Sequence, residues 1–396
     1  CAAVLLFTVA FAACSDDNNP TVYYDVTVSQ ALPVDMPVGY SVTEGNIKWT
    51  ENNTGSVYTT ILPITEPIAL PAGVYSVDGL MTVADSDGNT KTLRAVASSV
   101  VVSADASLEL SWFFYSPNST LVFKEISVTG SAKATGSGSL YDSFFTIYNN
   151  SDEEVILTGV AISESALINN TTNLYDVITP EHNRQVAFTA QTLYVIPSKP
   201  DGTPYTLTPG KSIKIVDQAQ SFIDAGGIDN TDADFEWYDI VNTTNPNALD
   251  TDNPEVPNLD KWYSYSATKW IVNQQCNRSY ALIRIPEEVT VESFLSDYAG
   301  YYEYLSPVNG KTMSNSKCVR IPNEWILDGV NLSNSEVFVH GWLADNIDFS
   351  YAQTSDVNTE RYGRMAQRRV ASVVNGRDIL MDTDDSLADF IYVSYK

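Results

Sequence analysis

A chain of 396 residues, 44% hydrophobic and 11% aromatic, is long enough for two or three domains with real cores and too apolar to remain disordered. Its 49 acidic residues against 22 basic ones leave a formal charge of −27, which repels phosphate backbones and anionic headgroups and argues against a nucleic-acid partner. Cations, cationic surfaces and neutral sugars stay electrostatically acceptable, and an acidic surface also serves solubility alone.

The first segment reads as an address. Cys1 to Ala13, CAAVLLFTVAFAA, is an unbroken run of apolar and small residues, too short to cross a bilayer as a permanent helix. It has the form of a signal-peptide core, so a few basic residues are expected ahead of it in the gene. Phe11-Ala12-Ala13-Cys14 resembles a lipobox, with Phe11 where Leu is usual. Small residues there expose the bond before the cysteine that becomes acylated, which makes Cys14 the expected lipidation site. Ser15-Asp16-Asp17-Asn18-Asn19-Pro20 resembles the acidic surface-export signal of Bacteroidota lipoproteins, and any flexible tether has the same composition. Residues 1–13 are thus expected to be a signal peptide and 14–22 a lipidated tether. Each buried acyl methylene contributes roughly 0.8 kcal/mol, enough over several chains to hold the protein at the outer membrane, exposed on the cell surface. No later apolar run approaches spanning length, so the body is expected outside the bilayer.

From Tyr23 to about Ser116 the text alternates β-branched and aromatic residues between turns, as in Tyr24-Asp25-Val26-Thr27-Val28, Val57-Tyr58-Thr59-Thr60-Ile61 and Ser99-Val100-Val101-Val102; the period of two predicts strands. Asp85-Ser86-Asp87-Gly88-Asn89 supplies the Asp-Gly of a tight hairpin and lacks the terminal Glu of a calcium loop. Ile68 to Val77, IALPAGVYSV, resembles the strand–turn–strand of small immunoglobulin-like or carboxypeptidase-regulatory-like modules. Leu108 to Phe114 supplies a last strand, and Ser116-Pro117-Asn118-Ser119 breaks the ladder as a junction.

The second region opens on Leu121 to Gly130, LVFKEISVTG, and continues after a Gly/Ser stretch with Asp142 to Val160, DSFFTIYNNSDEEVILTGV. This text resembles the lamin-tail β-sandwich, in which one strand ends in an Asn-Asn-Ser-Asp turn and the next begins with apolar alternation. Tyr205 to Ile215, with a Pro209-Gly210 turn before a strand, Arg320 to Val330, and Asp382 to Phe390 agree with it. Together these pieces resemble a Bacteroidota outer-membrane lipoprotein family of unknown function (domain of unknown function 4876). The resemblance implies an all-β fold: an N-terminal immunoglobulin-like/carboxypeptidase-regulatory-like β-sandwich over 23–117, then an elaborated lamin-tail-like β-sandwich with long insertions over 118–396. It carries over no catalytic or ligand residue. The surplus over a plain sandwich is expected between Ser163 and Ser355. There Ile240 to Asp260 reads as a long surface loop. Thr290 to Tyr298 reads as a helix capped by Thr290, with Phe294, Leu295 and Tyr298 on its apolar face.

Residues that could carry chemistry are few. Cys276 and Cys318 lie 42 positions apart; an oxidising location permits a bridge, and sequence alone leaves it open. The chain has two histidines, His182 and His340, which excludes a His-x-x-x-His zinc pair and leaves neither in a nucleophile context. Asp229, Asp232, Asp234, Glu236 and Asp239 form the densest acidic run. They read as solvated loop residues, with Asp232, Asp234 and Glu236 as candidates for a structural Ca²⁺ and no other cofactor expected. Phe235-Glu236-Trp237-Tyr238, Trp262 with Tyr263 and Tyr265, Trp270, and Tyr301-Tyr302-Glu303-Tyr304 are the aromatic clusters. Trp237, Trp262 and Trp270 could stack on a sugar or seat a partner; in a sandwich with 23 tyrosines the competing reading is plain strand packing. Arg361, Arg364, Arg368, Arg369 and Arg377 form the one basic cluster. Neighbours on a strand face opposite ways, so these arginines are expected to pair with surrounding carboxylates.

The functional expectation is a non-enzymatic accessory lipoprotein that captures a nutrient, a metal complex or a glycan, beside a TonB-dependent receptor. Its rivals are a surface glycan-binding protein or adhesin using the tryptophans, and a hydrolase using Asp234 or Glu236.

Overall fold

The structure, a computed structural model, describes residues 21–33, 36, 38–86, 90–114, 120–133, 138–139, 141–169, 184–239, 250–305, 309–334, 341–353, 361–374 and 376–394. Cys14 and the whole export segment, His182, His340, and residues 240–249 of the long loop lie outside these. The chain divides into two compact units, one ending at Tyr115 and the other beginning at Ser116. Both are built of strands, and the fold is all-β.

The first unit holds β1 (Tyr23–Ala31), β2 (Ser41–Glu51), β3 (Val57–Ile61), β4 (Ile68–Pro71), β5 (Gly73–Ala84), β6 (Thr90–Val102) and β7 (Ala106–Phe114), in the order β3-β2-β5-β6-β7-β1-β4. Alternation decides which residues turn inward: on β5, Tyr75, Val77, Met81 and Val83 are buried while Asp78 and Leu80 are exposed. Gly79 sits in the same inward row because a Cβ there would stand 2.8 Å from the Trp112 ring. Strand β7 serves both halves of the sandwich. Its Ala106–Ser111 stretch pairs in parallel with β1, and Trp112–Phe114 pairs with β6, so the layer folds over a core of Ile47, Trp49, Tyr75, Leu93, Leu110 and Trp112. Strands β5 and β6 pair antiparallel up to Ala84 and Thr90; Asp87, Gly88 and Asn89 of the expected hairpin lie outside the described residues.

The second unit is a sandwich with a third layer. One six-stranded sheet runs β16 (Phe235–Glu236), β15 (Ser212–Val216), β9 (Phe144–Asn149), β8 (Leu121–Ser127), β23 (Arg364–Arg368) and β26 (Phe390–Ser394). The other runs β17 (Asp260–Ser264), β13 (Thr192–Val195), β11 (Val160–Glu164), β18 (Ser279–Arg284), β21 (Ile326–Ser333) and β22 (Ala352–Gln353). Between them Phe123, Phe145, Ile162, Tyr194, Trp270 and Leu282 form one core. Alternate residues of the same central strands, Ala161, Leu193, Ala281 and Ile283, point the other way into a second core with Phe188, Phe294 and Val319. That core is roofed by β12 (Ala187–Ala190), β20 (Thr312–Pro322) and β19 (Ala299–Leu305) together with the helix Val291–Asp297. Strands buried on both faces lose the polar half of their alternation, so the insertion between residues 163 and 355 is what converts two layers into three. Each large side chain fully buried here contributes about 1.5–3 kcal/mol.

Local signals explain the joints. Asn149 ends β9, donates through Nδ2 to the carbonyls of Glu153 and Leu207 at 2.7 Å each, and accepts from Ser151 N at 3.0 Å through Oδ1. Asn150 exchanges hydrogen bonds with the Leu380 backbone. Gly210, at φ +72, makes the turn into β15 and donates to the Asn149 carbonyl. Thr290 caps its helix in a reciprocal box with Ser293. Phe294 is buried and Tyr298 packs on its ring at 5.4 Å, but Leu295 is exposed, because a seven-residue helix has room for one buried position.

Candidate functional site

The acidic run of 229–239 is the point where sequence and structure can be compared residue by residue. Asp229 accepts from Thr231 N (3.1 Å) and Oγ1 (2.8 Å), closing a turn. Asp232 pairs with Lys214 Nζ at 2.6 Å, and Asp234 accepts from Lys214 N at 2.8 Å. Glu236 faces the opposite way. Its Oε2 accepts from Ala219 N at 2.8 Å and its Oε1 from Asn253 N at 2.7 Å, while Asn253 Nδ2 donates to the Ala219 carbonyl at 2.7 Å. Asp232, Asp234 and Glu236 therefore do not make a common calcium site: two engage Lys214 and the third is committed to backbone amides. Among the described residues no three His, Cys, Asp or Glu side chains converge to hold a metal ion.

What Glu236 does instead is join two segments, 217–221 and 250–254. Between them lies a groove of about 300 Å³ lined by Gln218, Gln220, Ser221, Thr231, Asp252 and Asn253 among others. Its wall chemistry is amide and hydroxyl with one carboxyl, that of Asp252. The carboxyl groups at the walls are already engaged: Asp250 accepts from Gln218 Nε2 (2.9 Å), Asp239 N (3.0 Å) and Thr251 N (3.0 Å), and Asp252 from Asn258 Nδ2 (2.9 Å). Burial pushes the Glu236 carboxyl up to about 7, against the pull of the two amides, and the Asp252 carboxyl that contacts it adds to the rise. Burial also raises Asp250 and Asp234.

Behind the groove lies an aromatic and acidic floor. Trp237 and Trp270 are fully buried with ring centroids 5.1 Å apart; Trp270 stacks on Tyr194 at 5.0 Å, and Phe145 packs on both tryptophans. This corrects the expectation of a stacking platform: Trp237 and Trp270 are core residues, held between the two six-stranded sheets. Trp262 is half-buried and packs on Phe294 at 5.9 Å in the second core. The three tryptophans do not form one surface. Asp239, 1% exposed, accepts from Tyr194 Oη (2.9 Å), Trp270 N (2.6 Å) and Lys261 Nζ (2.6 Å), so it fixes the aromatic stack to the loop. Sequence reading missed Asp142, Asp217 and Lys269, all buried in this floor. The available signal was a charged residue directly continuing an apolar strand, as Asp217 does after Ser212–Val216.

Cys276 and Cys318 are buried thiols in different cores, and no bridge joins them. Burial pushes the Cys318 thiol up to about 12. Of the five arginines, Arg368 and Arg377 pair with carboxylates, while Arg361 and Arg364 donate to the carbonyls of Gln274 and Tyr392. Arg368 is buried against Asp328 (2.6 Å), Asp382 (3.0 Å) and Asp389 (3.5 Å) and also donates to the carbonyls of Phe123 and Met381, while Arg369 next to it is exposed. Arg377 pairs with Asp152. The motifs at Asn149-Asn150, Asp328 and Asp382–Asp389 thus meet in contacts that hold the fold.

No curated protein matches the chain. Its fold is similar to the crystal structure of a DUF4876 family protein from Bacteroides thetaiotaomicron VPI-5482, with a TM-score of 0.55 and 21% identity over 93% of this chain and 94% of that one. The model of the family described as protein of unknown function (DUF4876) matches residues 208–394. The match runs from the Thr208-Pro209-Gly210 turn through the groove and the Arg368 centre to the last strand, and this part of the chain is similar to the DUF4876 family.

Proposed function

We propose that this protein is a surface-exposed outer-membrane lipoprotein, anchored at Cys14, that works as a non-enzymatic binding or accessory module in nutrient capture beside a TonB-dependent receptor. The observation that carries the binding part is the groove between 217–221 and 250–254, whose walls offer Gln218, Gln220, Ser221, Thr231 and Asn253 as neutral donors and acceptors. Such a wall suits a hydroxyl-rich ligand such as a glycan, for which direction comes from hydrogen bonds. The lipobox and the acidic run after it support the anchored, surface-displayed setting.

The chemistry of the carboxyl groups favours binding over hydrolysis. Glycosidases keep two carboxyls free to act across a sugar, whereas Glu236 is closed off by the backbone amides of Ala219 and Asn253. With Trp237 and Trp270 in the core, an adhesin built on those rings loses its platform.

The test is calorimetric titration of the soluble body with neutral oligosaccharides, using Gln218→Ala and Asn253→Ala as groove variants and Trp262→Ala as a distant control. Glycan binding weakened by the groove variants alone supports the reading. Glycan binding that all three variants leave intact would sink the groove assignment, and hydrolysis of the sugar during titration would sink the non-enzymatic one.

A further inference from the structure

Most hydrogen bonds at the groove run into the protein. Ala219 N and Asn253 N donate to the two oxygens of Glu236, Asn253 Nδ2 donates to the Ala219 carbonyl, and Thr231 N and Oγ1 donate to Asp229. The side-chain amides follow the same direction. Asp250 accepts from Asp239 N and Thr251 N and takes a third donor, Gln218 Nε2, at 2.9 Å. That contact sets Gln218, 4% exposed, with its Oε1 toward Gln220, whose Nε2 donates to it. Polarity passes along the relay from Asp250 through Gln218 and ends on the Gln220 carbonyl oxygen. With these N–H groups turned inward, the walls keep lone pairs for a ligand: the Gln220 oxygen, the Asp252 carboxylate, and the hydroxyls of Ser221 and Thr251, which accept as readily as they donate. A ligand here has to bring the donors.

Charge adds to that demand. From Ile215 to Asp260, the stretch that supplies every lining residue, the sequence has eleven Asp and Glu and no Lys, Arg or His. Among the described residues Asp252 is the one ionisable side chain of the lining, and it is exposed, as are Asp224, Asp229, Asp232 and Glu255 in the same stretch. The flanking lysines are committed: Lys214 is bonded to Asp232 at 2.6 Å and to the Asp229 carbonyl at 3.3 Å, and Lys261 to Asp239 at 2.6 Å. Exposed charges within a Debye length, about 8 Å at physiological salt, still act on a bound ligand, and a cleft of one sign concentrates the opposite one. Sulfated and carboxylated glycans are disfavoured at such a wall. A protonated amine meets both demands, with three N–H donors and a positive charge. Among the described residues no aromatic side chain lines the groove, so a cation is held there by charge and hydrogen bonds rather than by a cage of rings.

We propose that the groove takes a glycan with free amino groups, a protonated amine of the sugar pairing with the Asp252 carboxylate while its hydroxyls donate to the outward acceptors, the Gln220 carbonyl among them. This rests on the reading of the groove as a glycan site and narrows the ligand from hydroxyl-rich sugars to amine-bearing ones.

The experiment is calorimetric titration of the full body at mildly acid pH, where sugar amines are protonated, with a glucosamine trimer, its fully N-acetylated counterpart and trilysine. Each is run at low and at physiological salt in wild type, Asp252→Asn, Gln220→Leu and the distant control Trp262→Ala. The glucosamine trimer should bind about tenfold tighter than the acetylated one, and the advantage should shrink with salt. Asp252→Asn should abolish the advantage, Gln220→Leu should weaken both sugars, and Trp262→Ala should change neither. Equal affinity for the two trimers, still weakened by Gln218→Ala, would overturn the amine preference alone and leave the groove a neutral-glycan site. Binding of neither trimer would overturn both readings. An amine preference that survives Asp252→Asn would place the cation elsewhere on the acidic surface, and trilysine bound as tightly as the sugar would make this a basic-peptide site; either result overturns the proposal.

Discussion

Replacing Glu236 by Gln probes the staple of the groove, and its effect should depend on pH. The carboxyl accepts two backbone N–H groups, from Ala219 at 2.8 Å and Asn253 at 2.7 Å. Burial raises it from the ordinary 4.5 to about 7. A carboxyl raised in the folded state contributes stability that is fully present below its unfolded value and is lost as pH rises through the folded one. At 1.36 kcal/mol per unit, the folded wild type should therefore lose on the order of 2–3 kcal/mol between pH 4.5 and 8 from this group. Glutamine does not titrate, and its NH₂ must turn toward one of the two N–H donors, which costs about 1–2 kcal/mol at every pH. Chemical denaturation at pH 5 and pH 8 gives both numbers. Glu236→Gln should be less stable than wild type at pH 5, with the gap closing or reversing at pH 8. A gap of the same size at both values would refute the reasoning, because it would mean that Glu236 is equally ionised throughout.

Other perturbations test neighbouring parts of the account. Arg368→Met leaves Asp328, Asp382 and Asp389 without their shared cation and should cost about 3–5 kcal/mol, measured as a fall in the denaturation midpoint; a cost below about 1 kcal/mol would make the centre dispensable. Thr290→Ala removes the capping box of the Val291–Asp297 helix and should cost about 1 kcal/mol. Glu51, held down to about 2 by its hydrogen bonds to Thr54, contributes stability present above its unfolded value near 4.5 and lost as pH falls through 2. Glu51→Gln should therefore flatten the acid side of the stability profile. Thiol titration should find Cys276 and Cys318 unreactive in the native protein and both free after denaturation without reductant.

How far the sequence reached depended on whether a feature was local. The period of two in Gly73–Ala84, the Pro209-Gly210 turn and the Thr290 cap each act within a few residues, and the chain's text carries them. The opposed fates of Arg368 and Arg369 also follow from alternation alone. The tryptophans were another matter. Trp237 and Trp270 sit in strand-poor, Asp-rich text that resembles a surface loop, yet Phe145 and Tyr194, from strands far away in sequence, close over them. The third layer was equally hidden, since Ala161, Leu193 and Ala281 read as spacing residues until β12, β19 and β20 cover them. The groove was missed because Glu236 acts through the amides of Ala219 and Asn253, seventeen residues away on either side.

The most direct test of the functional account is a crosslinked pull-down of the acylated protein from native outer membranes, with Cys14→Ser as the unanchored comparison. The account predicts that the wild type partitions with the outer membrane and recovers a TonB-dependent receptor, and that Cys14→Ser loses both. A protein that reaches the membrane without Cys14, or an anchored one that brings down no receptor, would contradict it.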